Sequence, residues 1–236
     1  MSTPSSPSSG GAAPLSLGQR LIGILTSPKA TFENVVSWPR WLGVFGVTMA
    51  LSLVFTVWFF SSEVGQQAFV DQVRTQNPAV TVEQAEGIAT FMKFVIPAAV
   101  PVVGSIFLFG GAGLLLGVFA ITGGTASYKQ VLAVLAHAGI ASTVAQVVLT
   151  ITNYFRGSMV SITSLAGLSA LFDEGSFMAG FLGAIDLWWF WYFLVLAIGL
   201  GVLYRRRTAP IFLTFSAIYF VIALGNGLLK ALTGGS

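Results

Sequence analysis

The chain has no cysteine, and only 8% of its 236 residues carry a charge. The missing cysteine excludes disulfide, thiolate and iron–sulfur chemistry. Histidine occurs once, at His137, so the multi-residue ligand set that a zinc or iron site needs is not available from histidine and cysteine. An average soluble domain is about 25% charged, and a deficit this deep excludes an ordinary water-soluble globule. The catalytic signatures H-E-x-x-H and G-x-S-x-G and the Walker loop are absent. The tandem glutamates of intramembrane prenyl-protein proteases are absent too. Gly123-Gly124 lacks the Lys-Ser/Thr pair that a phosphate loop requires. These gaps propose no catalytic residue, no metal ligand, no cofactor and no nucleic-acid partner, and the expectation is a non-enzyme.

What is present is apolar length. The sequence is 55% hydrophobic, with a mean hydropathy of +0.86. A helix needs roughly 20 apolar residues to cross a bilayer, and stretches at about 41–60, 94–120, 131–152, 184–204 and 210–232 meet that length. Each span must satisfy its own backbone hydrogen bonds in hydrocarbon. A β-barrel would show segments of about ten residues alternating apolar and polar, and Trp188 to Leu203 does not alternate. The fold class is therefore all-α: a polytopic membrane protein with a five-helix transmembrane bundle over 41–236.

Two segments precede the bundle. Residues 1–14 are mostly Ser, Pro, Gly and Ala with no basic start to an apolar core. They read as a disordered tail rather than a signal peptide. Residues 15–40 read as two short amphipathic helices on the membrane surface. The first carries Leu17, Leu21, Ile22, Ile24 and Leu25; the second starts at Ser27-Pro28 and carries Phe32, Val35 and Val36. Anchoring and shielding the bundle explains them most simply, with partner binding as the sharper alternative. The connection at 61–93 holds a polar helix, a break at Asn77-Pro78, and a capping box of Thr81 with Gln84 leading into the second span.

Loop charge gives the bundle a direction. With the N-terminus in the cytoplasm, Arg20, Lys29, Arg40, Lys129, Arg205, Arg206 and Arg207 lie inside, and Arg74, Lys93, Arg156 and Lys230 lie outside. Seven cations against four satisfy the positive-inside rule. Five spans then place the C-terminus outside. The expected location is a membrane with the N-terminus on its cytoplasmic side, and lipids are the first expected partners.

Few polar groups sit within the spans. Asp186 starts the fourth span, and an intramembrane carboxylate is costly enough to suggest function. Gln146 in the third span lies at a similar expected depth, so a polar clasp competes with a functional role. His137 is about 10 Å into the third span at 1.5 Å per residue, too far from Asp186 to pair with it, and reads as a packing histidine. Asn226 in the fifth span is a weaker candidate. Gly113 and Gly117 have the small-xxx-small spacing of close helix packing. Trp188, Trp189, Phe190, Trp191 and Tyr192 read as an interfacial aromatic belt, with a lipid or quinone groove as the bolder alternative.

Several of these pieces, in this order, resemble the bacterial branch of the Yip (Ypt-interacting protein) family. They are Thr26-Ser27-Pro28-Lys29-Ala30-Thr31-Phe32, Pro39 before the first span, Tyr128-Lys129-Gln130-Val131-Leu132-Ala133, and Asp186-Leu187-Trp188-Trp189-Phe190-Trp191 followed by Gly199. The resemblance runs from about Leu15 to the C-terminus. It implies a five-helix bundle with a cytoplasmic N-terminus and no family active site. Eukaryotic members associate with one another and with Rab-type GTPases. This chain lacks their Asp-Leu-Tyr-Gly-Pro motif, so Rab-type GTPase binding is not carried over. The expectation is a membrane organiser or scaffold whose partners are copies of itself or other membrane proteins. The alternative is a small transporter or lipid-handling protein using Asp186 and His137.

Overall fold

The computed structural model describes residues 13–169, 171–173 and 175–233, so most of the expected tail lies outside the described residues. Helix α1 (Leu17–Thr26) and α2 (Pro28–Ser37) lead into α3 (Leu42–Ser61). The polar α4 (Glu63–Gln76) is followed by α5 (Val82–Ile121), α6 (Tyr128–Arg156), the short α7 (Ala166–Ser169) and α8 (Phe177–Gly183), then α9 (Leu187–Tyr204) and α10 (Thr208–Thr233). Five of these, α3, α5, α6, α9 and α10, are long and apolar enough to cross a membrane. No strand forms among the described residues; one isolated bridge pairs Ser164 with Asp186.

Local chemistry explains most of the boundaries. Ser16, Thr81 and Ser127 each accept a hydrogen bond from a backbone N–H three residues on, and Gln19, Gln84 and Gln130 reach back to close three capping boxes. Pro28 takes the first position of α2, where a missing N–H costs nothing. Gly157, with φ at 57°, closes α6 in the left-handed conformation that glycine adopts without a Cβ penalty. The second span begins earlier than apolarity alone gives. At 40 residues α5 is about 60 Å long, twice the hydrocarbon thickness of about 30 Å. Polar Glu83, Glu86 and Lys93 end the apolar run but not the helix, because the Thr81 capping box has already nucleated it.

Helix α6 forms the axis. Two-thirds of its most apolar stretch is buried, against about a fifth for α3, α5 and α10. The cause is its sequence: Ala133, Ala136, Ala138, Ala141 and Ala145 let neighbouring backbones approach closely. In hydrocarbon such packing is the main source of helix association. The faces of α3, α5 and α10 that point away from α6 are Phe, Leu, Ile and Val, among them Leu42, Phe107, Leu114 and Val221. These are the faces that lipid solvates.

The first two helices do more than lie on a surface. Phe32 and Val35 of α2 are fully buried and Ile24 of α1 nearly so, within the same core cluster as Val131, Val134, Leu196 and Leu200. The Phe32 ring lies where Gly199 of α9 leaves room: a Cβ there would stand 2.8 Å from it. On the outer face Ile22 and Leu25 are exposed. The pair closes one end of the bundle, here the leader end; α4, α7 and α8 belong to the far end. Polar bonds fasten the closure. Gln130 Nε2 donates to the Val36 carbonyl at 3.2 Å, and Leu15 N–H donates to Asn34 Oδ1 at 3.0 Å.

Candidate functional site

Asp186 stands immediately before α9 as its N-cap, and Oδ1 accepts from Trp188 N–H at 3.0 Å. The same oxygen accepts from Thr163 Oγ1 at 2.6 Å. The backbone of the connection is stitched alongside: Leu187 N–H donates to the Thr163 carbonyl at 3.2 Å, and Leu165 N–H to the Ile185 carbonyl at 2.9 Å. Tyr219 of α10 completes the knot. Its hydroxyl donates to the Ala184 carbonyl and accepts from Asp186 N–H, both at 2.9 Å. A carboxylate at a helix N-terminus satisfies orphan N–H groups and favours the macrodipole. Asp186 thus joins the connection before α9 to the start of the helix, and Tyr219 ties both to α10.

Gln146 serves a different joint. Its Nε2 donates to Thr56 Oγ1 at 3.0 Å and to the Ser52 carbonyl at 3.3 Å, cross-linking α6 to α3. Asp186 and Gln146 are therefore committed to separate elements. Asn226 Nδ2 donates to the Ile222 carbonyl of its own helix and is exposed, so it joins neither.

His137 is wholly buried on α6. Its Nδ1 lies 2.7 Å from the Ala133 carbonyl. A carbonyl only accepts, so Nδ1 carries the hydrogen and Nε2 is left with a lone pair. That Nε2 has no partner among the described residues. Arg20, at the leader end, is also buried, and its guanidinium donates to the carbonyls of Arg40 and Ser16. Burial first, and then the charge of Arg40, pull the Arg20 pKa below its ordinary value. Among the described residues no three His, Asp or Glu side chains gather as a metal-holding group.

Glycine packing differs from the expectation. Gly113 and Gly117 do not form a helix contact within this chain, since a Cβ at either would meet nothing within 4 Å. Their spacing is right for packing, but the face they share points outward. Close approaches fall at other glycines. Gly199 receives Phe32 and Val134, and Gly227 meets the Phe177 carbonyl 2.8 Å from where its Cβ would be. The aromatic run after Asp186 divides around α9. Trp191 and Tyr192 pack against the core, while Trp189, Phe190 and Phe193 gather around Tyr219.

Sequence reasoning missed Thr56, Thr163, Tyr219 and Arg20. Thr56 and Tyr219 had a visible signal, a hydroxyl within an apolar span. The partners of Asp186 are 23 and 33 residues away, and no local pattern links them.

Residues 22–229 match the family model described as "Yip1 domain". The chain is similar to a Bacillus subtilis (strain 168) protein described as "Membrane protein YknW", at 25% identity over 221 residues, covering 91% of this chain and 92% of that one. No solved structure matches the chain.

Proposed function

The chain belongs to the Yip1 domain family of membrane proteins, and from that premise we propose that it is a non-enzymatic organiser or scaffold of the bacterial cytoplasmic membrane. Its N-terminus lies in the cytoplasm and its C-terminus outside. It acts through its lipid-facing helices, through self-association or contact with other membrane proteins, and through the closed leader end. One observation carries the reading: Asp186, which a transport path would use, and Gln146, expected at a similar depth, are spent on bonds that hold segments together. His137 stands apart from both, bonded to its own helix. Transport needs such groups to converge on a shared route.

Reconstitution of the full chain in proteoliposomes tests this. Proton flux is measured for the native chain, Asp186→Asn and His137→Ala, beside the thermal stability of each in detergent. The scaffold reading expects no flux from the native chain and lowered melting temperatures for the variants. Flux from the native chain, lost in a variant that melts normally, would replace it with a transporter.

A further inference from the structure

Two adjoining hollows of about 640 and 450 Å³ open at the leader end, between α2 and the turn joining α9 to α10. Both are lined by Glu33, Val202, Arg205 and Arg206; Lys29 and Arg207 line the second. Four cations therefore face one carboxylate. Among the described residues, the side chains of Lys29, Arg205 and Arg207 make no ion pair or hydrogen bond; Arg206 is held by the Thr122 carbonyl at 2.5 Å and by the Phe119 ring. Such clustering repels itself, and a bound anion would relieve that repulsion.

The turn that presents these arginines is built, not incidental. Arg205 adopts a left-handed φ of 53°, Arg205 N–H bonds the Val202 carbonyl, and Arg206 N–H bonds the Gly201 carbonyl at 2.9 Å. This Schellman-type ending fixes the direction of the run. Lys29 in the first turn of α2 and Thr208 in the first turn of α10 line the smaller hollow. Two helix N-termini thus bring partial positive charge to the arginine run, opposed in part by the C-terminus of α9. In the wall of the larger hollow the Tyr204 hydroxyl is buried without a partner among the described residues.

The geometry points to a binding site for the phosphate group of an anionic phospholipid. Lipid is favoured over a free anion by the rest of the lining. Val36, Ile198, Val202 and Leu203 form an apolar wall beside the cations. The hollows sit where two membrane-spanning helices end, at the level of headgroups. Basic pockets between spans hold headgroups in this manner. The site does not depend on the scaffold reading, since a transporter could carry it equally well.

The test uses the full chain, delipidated in a neutral detergent. Native mass spectrometry follows its titration with phosphatidylglycerol, phosphatidylcholine or inorganic phosphate alone. One phosphatidylglycerol is expected to bind at least about tenfold more tightly than phosphatidylcholine. The triple variant Lys29→Gln, Arg205→Gln, Arg207→Gln should bring the two lipids level, while Arg74→Gln at the far end should not. An unchanged preference in the triple variant overturns the site. Inorganic phosphate bound as tightly as phosphatidylglycerol overturns the lipid assignment in favour of a free anion. Glu33→Gln keeps the test decisive if the triple variant fails to fold: it should raise the preference, and an unchanged or lowered one counts against the site.

Discussion

Gly199 and Gly113 are chemically identical and lie on helices of the same bundle, yet their surroundings differ completely. A Cβ at Gly199 would stand 2.7 Å from Val134 Cγ1 and 2.8 Å from the Phe32 ring, whereas one at Gly113 would meet nothing within 4 Å. Gly199→Ala should therefore overpack the leader end and cost about 1–3 kcal/mol. Gly113→Ala should be neutral or stabilising by about 0.5–1 kcal/mol, because the helix gains a better former at no steric cost. Thermal unfolding of the two variants in the same detergent checks the contrast. The spacing of Gly113 and Gly117 was the more conspicuous pattern in the sequence, but spacing does not say which way a face points. Asp186 shows the opposite case. Its cost in a membrane marks it from sequence alone, while its partners Thr163 and Tyr219 come from elsewhere in the chain.

At the scale of elements, α2 is the informative one. Apolar Phe32, Val35 and Val36 fit a helix lying on a membrane as well as one inserted in a bundle, since both environments reward burial. The structure chooses insertion, with Phe32 and Val35 fully buried. The choice rests on shape: α9 carries glycine at the position where the Phe32 ring enters. Phe32→Ala should then cost about 3–5 kcal/mol, as loss of a fully enclosed ring does. A helix lying only on lipid would lose little by the same change. Melting of the purified variant distinguishes the two, and a shift indistinguishable from zero would contradict the insertion. The start of α5 was legible, because the Thr81 capping box acts within three residues; the boxes at Ser16 and Ser127 work over the same distance but emerged with the structure.

At the scale of the whole molecule, the charges segregate with the ends of the helices. Arg205, Arg206, Arg207, Lys129, Lys29, Arg40 and Arg20 all belong to the leader end, which the positive-inside rule puts in the cytoplasm. The native absence of cysteine makes this direct to test. Thr75→Cys at the far end should react with a membrane-impermeant maleimide on intact cells. Thr125→Cys, in the connection between α5 and α6, should react only after permeabilisation. Both positions are exposed. The reverse pattern would invert the bundle and move the proposed headgroup site to the other leaflet.

Sequence alone determined that this chain spans a membrane, because a helix must pay for every charge it carries into hydrocarbon and these five carry almost none. It also determined the starts of α2 and α5, which Pro28 and the Thr81 capping box set locally. Which helix is the axis, which glycines are contacts, and how the polar groups pair were decided only by tertiary structure. The physical reason is that lipid tails are as apolar as the side chains themselves. Burial in the bundle and exposure to lipid look alike in a sequence, and the choice between them falls to shape. The gathering of Lys29 with Arg205 and Arg207 is of the same kind. More than 170 residues separate them along the chain, and only the insertion of α2 beside α9 brings them to one hollow.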